Sequence, residues 1–398
     1  MVIKGRDIVV VGLQAWDNDI GSNCKNIAAE FAKDNRVLYV NYPLDRITIK
    51  RDRDKGPVVK RLDLISNKKN NLVQISGSMW NLFPNCIIES VNWLPLTFLF
   101  RFINKKNNKI FASEIQTAIK KLHFKDIIVF NDSDMFRSFH LKELLKPAVS
   151  IYYTRDNMMS VDYWYKHGHK LEPELMAKSD VVCANSTYLT DLAKEHNPNS
   201  FYVGQGCDVS AFDISKISSK PDDIKNITSP IVGYIGALFS LRLDIELLEM
   251  IATRRPDWSI VLIGPEDDAF KKSKLHGMGN VHFLGLKTGD ELPAYLAYFD
   301  VAINPQLLNE TTIGNYPRKI DEYLAMGKAT VATETKAMSI FAGYTYLAKT
   351  KEDYLTLIQK ALDEDNDEKR NARIEFARSH TWENSVAEIY KAINFVGK

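Results

Sequence analysis

The sequence has little cysteine and no cysteine pattern. Its four cysteines, Cys24, Cys86, Cys183 and Cys207, are scattered over 398 residues, and none makes a Cys-x-x-Cys pair. That spacing indicates neither a zinc site nor a disulfide framework, and it fits a reducing cytosol. Surplus charge is also missing. Against 50 acidic residues stand 52 Lys and Arg, a net charge of +2, so nothing marks a nucleic-acid partner, which asks for a basic excess. No segment reaches the ~20 apolar residues that cross a bilayer. The N-terminal apolar core, Ile8–Val11, is too short for a secretory leader, and no small-residue cleavage site follows it. A Gly-x-Gly-x-x-Gly fingerprint is absent, which argues against an NAD-dependent dehydrogenase.

What is present is two series of short apolar runs, each followed by a turn and a helical pattern. Asp7–Gly12, Arg36–Asn41, Asp126–Asn131, Ser150–Asn157, Asp180–Ser186 and Ser200–Gly206 form the first. Ile231–Leu238, Ser259–Pro265, Asn280–Gly285, Asp300–Pro305 and Ala329–Glu334 form the second. Continuous apolar strands alternating with helices predict parallel sheets covered on both faces. The polar stretch Asp208–Pro230 reads as a linker. The expected architecture is therefore α/β: two Rossmann-like, doubly wound parallel-sheet domains facing each other across a cleft. The boundaries are 1–207, a linker at 208–230, and 231–380, with a C-terminal helix at 381–398 joining the first domain. Ligands in such folds sit beyond the carboxyl ends of strands.

One stretch draws the eye: NETTIGNYPRKIDEYLAMGKATVAT, Asn309–Thr333. It leaves a strand end, passes a loop with Thr311, Thr312 and Gly314, and enters a short helix. Pro317 suits a first helical turn, Asn315 is a candidate N-cap, and Gly327 is the stop. Arg318 and Lys319 fall in the first turn, where cations oppose the helix dipole and call for an external anion. Loop hydroxyls and backbone donors complete a diphosphate cradle. Glu322 shares a face with both cations and is placed to accept from sugar hydroxyls such as those of a ribose.

PRKIDEYLAMGKATVAT resembles the donor-site signature of GT-B glycosyltransferases, in particular the retaining family 4 type. YIGAL, LIGP, NVHFLG…ELPAYLAYFDVAINP and SHTWENSVAEIY resemble other parts of the same family, over about Tyr152–Tyr390. The nearest likeness is to bacterial enzymes that build capsular, teichuronic-acid-like or O-antigen polysaccharides. The resemblance implies a cytoplasmic enzyme that moves a sugar, with retention, from a nucleotide diphospho-sugar to a glycan or lipid-linked acceptor. It implies no obligatory cofactor and no divalent metal. Glu322 would bind the ribose. Gly236, Arg242 and Gly264 would line the donor site with Thr311, Thr312, Gly314 and Asn315, and Arg318 and Lys319 would face the departing diphosphate. Two departures stand out. Gly314 occupies a position where the family often has a second Glu, and the loop ALFSLRLD carries only Arg242 where an Arg/Lys pair is usual. A non-catalytic nucleotide-sugar-binding partner and a GT-B-shaped nucleotide-sugar epimerase are the alternatives.

In the first domain, Arg155 and Asp156 end a strand. They are either reaction-site residues or a surface Arg beside an N-cap. Gly12 and Asp132 are candidates on the acceptor side. The Asp132-Ser133-Asp134 pattern is a metal motif in a different fold and is read here as a turn. His167 and His169 read as solvated loop residues, and Lys50–Arg61 as a mobile loop. The run Trp93–Ile103 is strongly apolar and is followed by lysines. It is either a buried helix with a basic outer face or a peripheral contact with the cytoplasmic face of the inner membrane.

Overall fold

The computed structural model describes residues 2–18, 21–67 and 70–397. Residues up to Gly204, with the chain from Trp382 onward, form one compact unit, and Gln205–Thr381 form another.

The first unit is built on an eight-stranded sheet. From edge to edge it runs Ser200–Tyr202, Val181–Ala184, Val149–Thr154, Ile128–Asp132, Asp7–Gly12, Arg36–Val40, Met79–Leu82 and Leu72–Ser76. Only the last pair is antiparallel. Asp7–Gly12 is buried along its whole length because helices cover both faces. Ile8 and Val10 pack with Ile27 and Phe31 of one helix and Ile389 and Ile393 of the C-terminal helix. Val9 and Val11 point the other way, against Phe111 and Ile115 of the helix Thr97–Lys121. Strand order reverses beside Asp7–Gly12, whose neighbours are Arg36–Val40 and Ile128–Asp132. This is the crevice at which ligands enter such sheets, and Gly12 and Asp132 lie there in register.

The second unit carries a six-stranded parallel sheet in the order Val281–Phe283, Ser259–Ile263, Ile231–Ile235, Val301–Asn304, Ala329–Thr333, Tyr346–Ala348. Its order reverses between Ile231–Ile235 and Val301–Asn304, so the residues that follow these two strands define its crevice. The polar stretch Asp208–Pro230 is no free tether. Ile224 is buried in this unit's core, and Val209, Phe212, Ile217 and Ile227 pack against it.

Lys50–Arg61 is helical rather than a mobile loop. Helices span Arg46–Arg51 and Gly56–Ser66. Asp45 caps the first by accepting from the Ile47 and Thr48 amides. Arg61 is buried, its guanidinium 4.7 Å from the centre of the Tyr42 ring. His167 and His169 sit on the helix Asp162–Lys178, not in a loop. His167 is buried and stacked on Phe100 at 4.2 Å, and burial lowers its pKa.

Candidate functional site

The floor of the second unit's crevice is glycine because two loops run too close for side chains. Gly236 follows Ile231–Ile235 at φ 142°, and Gly264 follows Ser259–Ile263 at φ 147°. A Cβ on Gly264 would lie 2.0 Å from the Gly236 carbonyl oxygen. Both glycines are therefore demanded by backbone conformation as well as by space. Gly264→Ala is expected to destabilise the chain by roughly 3 kcal/mol or more, the combined scale of an unfavourable φ and a backbone clash. Urea unfolding followed by circular dichroism checks it.

Over this floor lies the helix Lys319–Ala325. The Tyr323 hydroxyl accepts from the Ile235 amide (2.9 Å), and so ties the helix to the strand that delivers Gly236. A second anchor is fully buried Asp321. It accepts from the Tyr316 hydroxyl (2.8 Å) and pairs with His380 Nδ1 (2.6 Å). Burial raises the Asp321 pKa, and the His380 bond opposes the rise. Glu322 lies between the two anchors in sequence, and Lys319 stands two residues before Asp321 on the same helix.

Lys319 is the least expected of these. Its ammonium donates to the Tyr234 hydroxyl and lies 4.0 Å from that ring's centre. A Cβ on Gly236 would stand 2.7 Å from Nζ. Desolvation pushes its pKa down to about 7, Glu322 opposes the fall, and Arg242 adds to it. The lysine is thus a cation whose charge is opposed by its surroundings, held against the backbone of the glycine loop. Glu322 is half-buried, its pKa raised by burial and restrained by Arg318 and Lys319. Its carboxylate accepts no hydrogen bond from the described residues, so its lone pairs are open to a ligand's hydroxyls.

Several expected donors serve the loop itself. Asn309 Oδ1 accepts from the Thr311 and Thr312 amides (3.0 and 3.1 Å). The Thr312 hydroxyl is buried and donates to Leu307 O, so it is not a phosphate donor. Asn315 caps nothing: the helix starts at Lys319 after Arg318, without a side-chain cap, and Pro317 lies before it. Arg318 is exposed and Gly314 buried within the loop. Arg242 is exposed beside Lys319, and its carbonyl accepts from Leu307 (2.8 Å), which brings the two loops together.

The first unit gathers its four candidates at one point. Arg155 Nε binds Asp132 Oδ1 at 2.9 Å, and Arg155 Nη1 reaches Asp156 Oδ2 at 3.1 Å. Asp132 is fully buried, its pKa raised by desolvation against the pull of Arg155. Its Oδ2 is buried without a hydrogen-bond partner among the described residues. Gly12 makes room for this carboxylate, since a Cβ there would lie 2.8 Å from Asp132 Cβ. Arg155 is thus a fixed guanidinium, and half-exposed Asp156 is the carboxylate it presents to solvent. Arg155→Met would strand a buried charge, and a loss of about 3 kcal/mol is expected. Adding Asp132→Asn should restore at least half of it in the same unfolding assay. Asp134 is spent on its own turn, accepting from Arg137 N and Nε, both at 3.0 Å.

Sequence reasoning missed Tyr234, Tyr323, Asp321 and His380. The signal for the last two was faint, an Asp beside Glu322 and a His in SHTW, 59 residues apart and joined only by folding.

These geometries can be set beside known proteins. Residues 229–363 match the family described as "Glycosyl transferases group 1". The match covers about a third of the chain, all of it in the second unit. The chain is also 24% identical over 250 residues to TuaH of Bacillus subtilis (strain 168), named as a candidate teichuronic acid biosynthesis glycosyltransferase. That match covers 60% of this chain and 62% of TuaH, less than two thirds of the relative's length. Among solved structures, sucrose-phosphate synthase from Thermosynechococcus elongatus superposes with a TM-score of 0.63 at 13% identity, over 98% of each chain. Anabaena Alr3699/HepE in complex with UDP does so with a TM-score of 0.63 at 12% identity, over 98% of this chain and all of that one. Identity this low speaks to fold alone, and the fold is GT-B. The matched residues contain the glycine floor, Lys319 and Glu322.

Proposed function

We propose that the protein is a glycosyltransferase of cell-surface polysaccharide building, moving a sugar from a nucleoside diphospho-sugar to a hydroxyl acceptor. The observation that carries this is the pairing of Lys319 and Glu322 over the Gly236–Gly264 floor at the switch point of the unit that carries the family match. Glu322 accepts from the two ribose hydroxyls. The diphosphate lies against the backbone after Gly236, with Lys319 and Arg242 as its counter-charges. Because Alr3699/HepE was solved with UDP, uridine is the first base to try.

In the transfer, the bond from the anomeric carbon to the phosphate oxygen breaks and charge gathers on the leaving diphosphate. Preorganised positive groups there stabilise the transition state. The acceptor hydroxyl attacks the same face, its proton passes to a phosphate oxygen, and configuration is retained. In this reading Lys319 and Arg242 do what a divalent ion does elsewhere, so activity should survive EDTA.

The first unit takes the acceptor, with Gly12 and Asp132 framing its end and Arg155 and Asp156 orienting its hydroxyl. Leu96, Phe98, Leu99 and Phe102 are exposed beside Lys105, Lys106 and Lys109. This face contacts the cytoplasmic leaflet of the membrane, apolar side chains entering it and lysines meeting its anionic lipids. No helix among the described residues is long and apolar enough to cross a membrane.

The test is a panel of nucleoside diphosphates and their sugars, first by thermal shift and then by product analysis with and without acceptor. Stabilisation by one base family and acceptor-dependent release of the diphosphate support transfer. Binding with no turnover would favour the non-catalytic partner, a reading that Gly314 keeps open. Turnover without acceptor would favour the epimerase.

A further inference from the structure

His380 follows the helix Asp367–Ser379 and belongs to neither loop of the second unit's crevice. Its side chain nevertheless grips the helix that carries Glu322. That helix, Lys319–Ala325, has seven residues and no side-chain cap. Helices this short are not stable on their own in water, so its orientation is set by what holds it.

Successive residues of a helix stand about 100° apart around its axis. Asp321 and Tyr323 therefore leave on nearly opposite sides, with Glu322 between them. Tyr323 is held by the Ile235 amide at 2.9 Å. Asp321 is held from the other side, by His380 Nδ1 at 2.6 Å and the Tyr316 hydroxyl at 2.8 Å. Two grips on opposite sides fix the helix against rolling, and so fix the direction of Glu322.

The His380 grip is built to be firm. Asp321 is fully buried, with one carboxylate oxygen on His380 and the other on Tyr316. A buried carboxylate that loses its donor must move or be neutralised. The imidazole is 19% exposed and stands edge-on to Phe376 at 4.5 Å and to Phe341 at 6.0 Å. Its backbone is tied as well, the His380 carbonyl accepting from the Cys207 amide at 2.9 Å.

We propose that His380 is a positioning residue for nucleotide binding, acting through Asp321 to hold the helix Lys319–Ala325 in the rotation that Glu322 needs. The proposal rests on the donor reading of Glu322 and adds a control on it from outside the crevice.

The test is a double-mutant cycle on the full chain, read by calorimetric titration of UDP. His380→Leu should weaken UDP about tenfold or more, the scale of a hydrogen bond to a charged group. His380→Asn, whose amide nitrogen replaces Nδ1 as donor, should bind within about threefold of wild type. His380→Leu also strands a buried carboxylate, so Asp321→Asn with His380→Leu is measured beside it and should show the same loss without the stranded charge. In the Glu322→Ala background, His380→Leu and the paired variant should each add less than about twofold, because a residue acting through Glu322 has nothing left to act on. A role in general stability alone would add its loss in full. Additive losses would overturn the proposal and leave the donor site standing. So would His380→Asn as weak as His380→Leu, or a paired variant that binds UDP like wild type while Glu322→Ala does not. A folded wild type that binds neither UDP nor any other nucleoside diphosphate, or Glu322→Ala that binds like wild type, would sink the donor reading and take this inference with it.

Discussion

Glu322→Ala should weaken UDP binding about 100-fold. A hydrogen bond to a charged group contributes about 1.5–3 kcal/mol, and about 2.7 kcal/mol is a factor of 100. Ribose hydroxyls stay on Glu322 in both ground and transition states, so the loss is uniform binding: KM rises and kcat changes little. The free protein should not be weakened. Burial raises the Glu322 pKa, so folding favours the protonated form, and the ionised carboxylate costs stability above the ordinary carboxylate range. Glu322→Gln is therefore expected to melt slightly above wild type at pH 7 and to match it more closely at pH 4. Calorimetric titration and a pH series of melting curves separate the two effects.

Lys319→Met should cost 10²–10³ in kcat, roughly the effect of removing one preorganised donor from a developing oxyanion, while making the unliganded chain more stable. The sign follows from its pKa. Lys319 titrates near 7 in the folded protein against an ordinary value of 10.5, so between those limits the unfolded chain binds more protons and stability rises with pH. Methionine removes that penalty, and a gain of about 1–2 kcal/mol at pH 7 is expected, as when buried ionic groups give way to apolar ones. Lys319→Arg should not rescue activity, because Nζ already lies against the Gly236 backbone and Tyr234. Single-turnover rates and melting temperatures on the same preparations would show the trade.

Much of the frame was readable from residue order. Runs such as DIVVVG are apolar throughout because both faces of their sheets are covered, and the eleven strands read from such runs are all present. Three strands of the two large sheets escaped: Leu72–Ser76, with four of its five residues exposed and without alternation, and Met79–Leu82 and Tyr346–Ala348, only four and three residues long. Gly327 ends its helix at φ 70°. Glu322 was legible because its spacing survives in one helix. Lys319 was legible as a cation but not in its direction. A first-turn lysine is expected to face solvent or a ligand, and only the sheet puts Tyr234, 85 residues away, beneath it. The same holds for Arg155 and Asp132, joined across adjacent parallel strands, and for Asp321 with His380.

The most direct measurement is calorimetric titration of UDP into wild type and Lys319→Met at pH 7.5, in two buffers of different ionisation enthalpy. One UDP should bind per wild-type chain with net proton uptake, because the diphosphate recharges Lys319. The uptake should vanish in the variant. A folded chain that gives no heat with UDP, or with any other nucleoside diphosphate or its sugar, would contradict a donor site built on Lys319 and Glu322.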